Sequence, residues 1–193
     1  MPFIRESIIT TVREDGSAHI APMGVHETDK GLMLAPFKPS ATLDNLLRNG
    51  VATINYTSDV RVFAGCMTGR RDWPCIATSK IKGLRLQDSL AHDEVRITLE
   101  EDDTERPRFY CELVHSEQHA AFHGFNRAQS AVIELAILVS RLHMLPPEKI
   151  ESELEYLTIG LDKCAGEREL EAWQWLYQRV TDFKEQDATL VDF

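Results

Sequence analysis

The 193-residue sequence has no apolar run of the length needed to cross a bilayer, no glycine-rich dinucleotide fingerprint, no nucleophile motif and no convincing acid–base pair of carboxylates. A membrane span, dinucleotide binding through that fingerprint and the common hydrolytic mechanisms are therefore without support in it. Positive charge is scarce: 21 Lys and Arg stand against 31 Asp and Glu, for a net charge of −10. Such a balance disfavours a broad grip on nucleic acid or on an anionic membrane, so any anion site has to be local. Cysteine is limited to Cys66, Cys75, Cys111 and Cys164, with none of the paired short spacings of zinc or redox motifs. Free thiols are expected, the alternative being a Cys66–Cys75 bridge within one loop. Internal repeats and low-complexity stretches are absent. Met1-Pro2-Phe3 runs into strand-like residues instead of a signal peptide, which makes a cytoplasmic location the expectation.

Hydrophobic residues make up 43% of the chain, enough for a sizeable core. Ile4–Val12 and Ser17–Val25 are β-rich runs joined at Glu14-Asp15-Gly16, the signature of a hairpin. Leu32–Ala35 reads as a short buried strand, and Ser40–Arg48 as a helix stopped by Asn49-Gly50 before a further strand, Val51–Tyr56. Asp59–Met67 is compatible with a helix, and Thr68–Pro74 is a polar, turn-rich insertion. Val95–Leu99 and Phe109–Val114 read as two strands joined by the acidic turn Glu100–Pro107. Strands around one short helix point to a barrel.

From Asn126 on the pattern becomes helical. Ala128, Val132, Leu135, Val139 and Leu142 recur at steps of three and four, while Ile133, Ala136, Ile137 and Leu138 make this helix apolar nearly all round. Pro146-Pro147 ends it and opens a second helix with Ile150, Leu154, Leu157 and Leu161 on one face. Gly166 precedes a third, with Leu170, Trp173, Leu176, Tyr177, Val180 and Phe183. The expected class is α+β: a barrel domain over 1–125 and a helical appendage over 126–193. Apolar surface in excess of what a small barrel covers is assigned to a homodimer interface, across which Glu134 would find its partner.

The chemistry concentrates between His19 and Tyr56. Lys38, Ser40 and Thr42 lie on alternate residues at a helix start, where Ser40 is a natural N-cap and free N–H groups together with the helix dipole favour an anion. The competing reading is a plain cap beside a solvated lysine. His19 lies in the same stretch, either as a donor to a ligand or as a satisfied structural histidine. Arg127 follows the plausible N-cap Asn126, where a cation opposes the dipole; it marks either a second half of the anion site or a salt bridge. Arg70-Arg71 reads as a solvated pair or as a receiver for an anionic substrate or nicotinamide pyrophosphate. His115, His119 and His123 are four apart, but their strand-like and glycine-broken surroundings argue for loop histidines and against a metal.

Glu6–Val12, Ala21-Pro22-Met23-Gly24-Val25, Pro39–Leu46 and Gly124–Ala128 together resemble one branch of the FMN-binding split-barrel superfamily of flavin reductases and pyridoxamine-phosphate-oxidase-like proteins. That branch is found in archaea and methylotrophic bacteria and is associated with tetrahydromethanopterin-linked one-carbon transfer. The resemblance implies a split β-barrel homodimer with FMN as cofactor, held by His19, the Pro22, Met23, Gly24 and Val25 backbone, Phe37, Lys38, Ser40, Thr42, Asn45 and Arg127. Three functions remain: a flavin-dependent oxidoreductase with a small-molecule substrate or electron donor, a non-catalytic FMN carrier, sensor or assembly module, or a cleft that binds another phosphorylated cofactor or is vestigial while the helices serve as a partner surface. No catalytic residue is assigned. The long helical tail departs from the commoner flavin reductases.

Overall fold

The computed structural model describes residues 3 to 191, with side chains to 186. The chain divides into two compact units: a barrel unit of the residues up to Ser58 with Asp72–Phe122, and a helical unit of Asp59–Arg71 with the chain from His123 on. The barrel unit contains β1 (Phe3–Val12), β2 (Ala18–Thr28), β3 (Gly31–Leu34), α1 (Ala41–Asn49), β4 (Val51–Tyr56), β5 (Cys75–Ala77), β6 (Leu84–Leu86), β7 (Ala91–Glu101) and β8 (Arg108–Gln118). Six strands pair antiparallel in the order β1-β2-β3-β8-β7-β4, and β4 returns to β1 to close the ring. Alternation decides what each strand gives to the interior. Ile9, Val25, Leu34, Ile54, Val95 and Phe109 meet Leu43 and Leu46 of α1 in one core, and all eight side chains are buried.

The expected hairpin, third strand and helix are in place. Ser40 caps α1 by accepting the Leu43 N–H at 3.2 Å, and Gly50, at φ 66°, closes the helix by donating its N–H to the Leu46 carbonyl.

The small hairpin β5–β6 is a feature that the sequence reading lacks, and side chains from the barrel wall hold it. Asn55 accepts the Leu86 N–H at 2.8 Å and donates to the Ile8 carbonyl and the Thr10 hydroxyl. Glu94, wholly buried, accepts the N–H groups of Ser79, Lys80 and Ile81 at 2.7, 2.7 and 2.8 Å and the Ser79 hydroxyl at 2.9 Å. Burial by itself would raise the Glu94 pKa, but these four donors outweigh it and hold the carboxyl down to about 2. The turn between β5 and β6 is thus wrapped around a carboxylate.

The helical unit consists of α2 (Arg61–Met67), α3 (Arg127–Val139), a 3-10 turn at Leu142–Met144, α4 (Pro147–Cys164) and α5 (Glu167–Val191). The helix considered between Asp59 and Met67 is therefore α2. Asn126 caps α3 by accepting the N–H groups of Ala128 and Gln129 at 2.8 and 3.3 Å. The helix ends earlier than its apolar spacing suggests, at Val139. Ser140 turns its hydroxyl back onto the Ile137 carbonyl there, and Leu142 is buried from the 3-10 turn instead.

The apolar character of α3 has its cause inside the chain, because α2, α4 and α5 all pack on it and Ala128, Val132 and Leu135 are fully buried. Glu134, on the same helix, is exposed in the single chain. No helix among the described residues is long and apolar enough to cross a membrane. All four cysteines are free thiols. Burial pushes Cys66 up to about 11 and Cys111 to about 12, so neither is a thiolate near neutrality.

Candidate functional site

At the open end of α1 the N–H groups of Ala41 and Thr42 take no partner among the described residues, since the Ser40 cap satisfies only Leu43 and Asp44. Behind them lies a chain of side chains whose proton directions follow from chemistry. Arg13, which can only donate, gives Nη2–H to His19 Nδ1 at 3.2 Å. That places the hydrogen of neutral His19 on Nε2, from where it is donated to Thr42 Oγ1 at 3.1 Å. The Thr42 hydroxyl, 3% exposed, therefore accepts from His19 and keeps its own O–H for an acceptor that the described residues do not provide. Asn45 sits one helical turn on, donating to Thr11 at 2.9 Å and accepting from Arg48 at 2.7 Å. It supports the site and does not face out of it.

Lys38, two residues before the Ser40 cap, lies in a segment clasped by the turn between β7 and β8. Its N–H donates to the Glu105 carbonyl at 2.8 Å, and its ammonium pairs with Asp102 at 2.5 Å. Arg106 donates twice to the Ala35 carbonyl and lies 4.4 Å over the ring of Phe37. The Lys38–Pro39 peptide is cis. The acidic turn read in the sequence thus has a positional role, which its composition did not disclose: Asp102, Glu105 and Arg106 set where Phe37 and Lys38 stand.

Pro22, Met23, Gly24 and Val25 lie further along β2. They pair with Ile8, Ser7, Glu6 and Arg5 of β1, whereas β3 pairs only with His26, Glu27 and Thr28. One edge of the Pro22–Val25 backbone is consequently without a strand partner, as a segment needs to be if its main chain is to face a ligand. Val25 points its side chain into the core, so only its backbone is available. A Cβ at Gly24 would stand 2.8 Å from Ile4 Cγ2, which favours glycine at this crossing.

Other sequence-marked residues fall elsewhere. Arg127 belongs to the helical unit and lines a cleft of ≈ 240 Å³ with Glu134, Tyr156 and Gly160; among the described residues no carboxylate pairs with it. Arg70 stacks its guanidinium 4.7 Å over Trp175 and Arg71 donates to the Cys66 carbonyl, both within the helical unit. Of the three spaced histidines, His115 and His119 lie near His92 of β7, with ring centroids 6.1 and 5.1 Å from it, and His123 falls in the helical unit.

The family model of the DUF447 N-terminal domain, described as a protein of unknown function, matches residues 5–120, and that of the DUF447 C-terminal part matches 126–178. No curated protein matches. Among solved structures, FMN-bound protein MM1853 from Methanosarcina mazei is 18% identical, with a TM-score of 0.78 over 91% of this chain and 94% of its own. Flavoredoxin from Methanosarcina acetivorans is 14% identical, with a TM-score of 0.53 over 60% of this chain and 69% of its own. The 2-nitrobenzoate 2-nitroreductase NbaA of Pseudomonas fluorescens is also 14% identical, with a TM-score of 0.51 over 58% and 64%. At these identities the likeness is one of fold.

Proposed function

The chain belongs to the DUF447 family of proteins of unknown function, and we propose that it is an FMN-binding protein of the split-barrel type that works as a flavin-dependent oxidoreductase. The observation that carries the reading is the donor set at the start of α1: two N–H groups without partners, the spare Thr42 O–H, the Ser40 hydroxyl and the Lys38 ammonium. These are the groups a phosphate monoester takes. The FMN bound to the M. mazei protein of like fold supports the same choice of ligand. The Pro22–Val25 edge is the surface assigned to the flavin ring, with His19 and Asn45 holding the phosphate donors in place and Phe37 at their border. Arg127 is carried as a further cofactor contact on the strength of the sequence resemblance, as is a role in pterin-linked one-carbon metabolism. When bound, FMN supplies the two-electron redox chemistry; this chain binds, orients and shields it.

Lys38→Met should weaken FMN by about 1 to 3 kcal/mol, the range of a charge-assisted hydrogen bond, and Thr42→Val by about 1 kcal/mol. Riboflavin, without the phosphate, should bind more weakly to the wild type and be nearly indifferent to Lys38→Met. Equal losses for the two ligands in a fluorescence titration would remove the phosphate from this end of α1. Anaerobic addition of NADH or NADPH then separates the oxidoreductase from a non-catalytic FMN module: bleaching of the flavin band supports the former, an unchanged spectrum with both donors the latter.

A homodimer is part of the proposal. Exposed Phe3, Ile4, Leu99 and Leu113 on the barrel strands are the apolar surface available to it. A monomeric mass at micromolar concentration would oppose it.

A further inference from the structure

We propose that His92, Glu117 and His119 form a Zn²⁺ site on the wall of the barrel unit. Strand alternation assembles it. His92 of β7 stands opposite Glu117 of β8, and Glu94 opposite His115. Side chains two apart on a strand share a face, so His92 and Glu94 are on the same side as His115 and Glu117. His119 follows one step past the end of β8, its N–H donated to the Leu90 carbonyl at 2.8 Å. One ligand atom from each of His92, Glu117 and His119 falls within 4.8 Å of the others.

What distinguishes this group from a chance meeting of polar side chains is the state of His92. It is 1% exposed, and its Nε2 lies 3.4 Å from Glu94 Oε1, on a carboxylate that can only accept. The His92 hydrogen therefore sits on Nε2, and Nδ1 keeps its lone pair turned toward His119 Nε2, 2.9 Å away. A buried carboxylate that fixes the tautomer and aim of an imidazole is the outer-shell arrangement of protein metal sites. The two rings lie nearly parallel, 8° apart, with the His119 hydrogen between their facing nitrogens. Zinc takes the place of that proton. At Zn–N distances of about 2.0–2.1 Å and a tetrahedral angle the two nitrogens stand roughly 3.3 Å apart, which the His119 ring, beyond the end of the strand, reaches by turning. Glu117, with a half-exposed side chain, supplies the oxygen, and the fourth position stays open to water or to His115, whose Nε2 is 3.8 Å from Glu117 Oε2. Arg85 is the cation acting on His119, and Glu117 is the carboxylate that opposes it, more weakly.

Two imidazoles and one carboxylate suit zinc better than the hard cations, which take oxygen ligands. The full-length protein, stripped with a chelator and reloaded with zinc chloride, should retain one zinc per chain after gel filtration. Competition with a chromophoric chelator should show Glu117→Gln and His119→Ala weakened more than the roughly 10- to 100-fold typical of losing an outer-shell partner. His123→Ala should bind as the wild type does. Cobalt in place of zinc should give visible bands without thiolate charge transfer, so coordination by the cysteines is told apart. Less than a fifth of an equivalent of zinc on the wild type, or unchanged affinity in both folded variants, overturns the site.

Discussion

Exchange of Glu94 for alanine should destabilise the protein by about 3 to 5 kcal/mol, the cost of breaking up a buried charged group and orphaning its partners. Three backbone N–H groups, the Ser79 hydroxyl and His92 Nε2–H would be left without their acceptor. The carboxylate makes itself felt in the pH dependence as well. Its pKa is depressed in the folded protein, from 4.5 to about 2, so its stabilisation is complete above about pH 4.5 and is lost as pH falls toward 2. At about 1.36 kcal/mol per pH unit that depression amounts to roughly 3 kcal/mol. Urea unfolding with chelator present, from pH 6 to pH 2.5, should show the wild type losing stability over this window and Glu94→Gln starting lower with a flatter acid limb. A variant within 1 kcal/mol of wild type, with the same acid limb, would mean that the β5–β6 turn is held by something other than this carboxylate.

The second large effect lies in the helical unit. Leu135→Asp should cost at least roughly 4 kcal/mol, because position 135 is fully buried and a carboxylate there loses its hydration. Since α3 is covered by its own chain, the expected outcome is unfolding of that unit, seen as lost helical ellipticity. Folded monomers in place of dimers, with ellipticity intact, would contradict this expectation and put α3 at a subunit interface.

These two residues also show what a linear reading can and cannot reach. The α1 caps are local, a serine and a glycine bonding three or four residues away, and were readable together with the hairpin at Asp15-Gly16. Glu94 was not readable: a glutamate in a strand between Asp93 and Val95 looks like a solvent-facing alternate until a turn 13 to 15 residues earlier folds over it. The strands β5 and β6, three residues each, carry no periodicity and depend on Glu94 and Asn55 for their place. The apolar girth of α3 was plain, but which surface covers it depends on α2, an excursion out of the barrel at 59–71.

The histidines carry a sharper lesson in period. Read at a spacing of four, His115, His119 and His123 suggest a helix that does not exist. At the strand period of two, His115, Glu117 and His119 share a face with His92 and Glu94. Of the proposed cofactor set, Lys38, Ser40 and Thr42 were visible as donors at a helix start. The sequence could not give the direction of the Arg13–His19–Thr42 hydrogen bonds or the clasp from Asp102, Glu105 and Arg106, because each joins residues that are distant in the chain.

Identification of the ligand released on denaturation tests the central claim most directly. The full-length protein would be incubated with excess FMN, freed of unbound ligand by gel filtration, denatured, and its supernatant resolved by chromatography. Release of FMN close to one equivalent per chain, reduced in Lys38→Met, is the predicted result. Recovery of no flavin, or of FAD or pyridoxal phosphate carried through purification in its place, would contradict the assignment of the α1 donors to the phosphate of FMN.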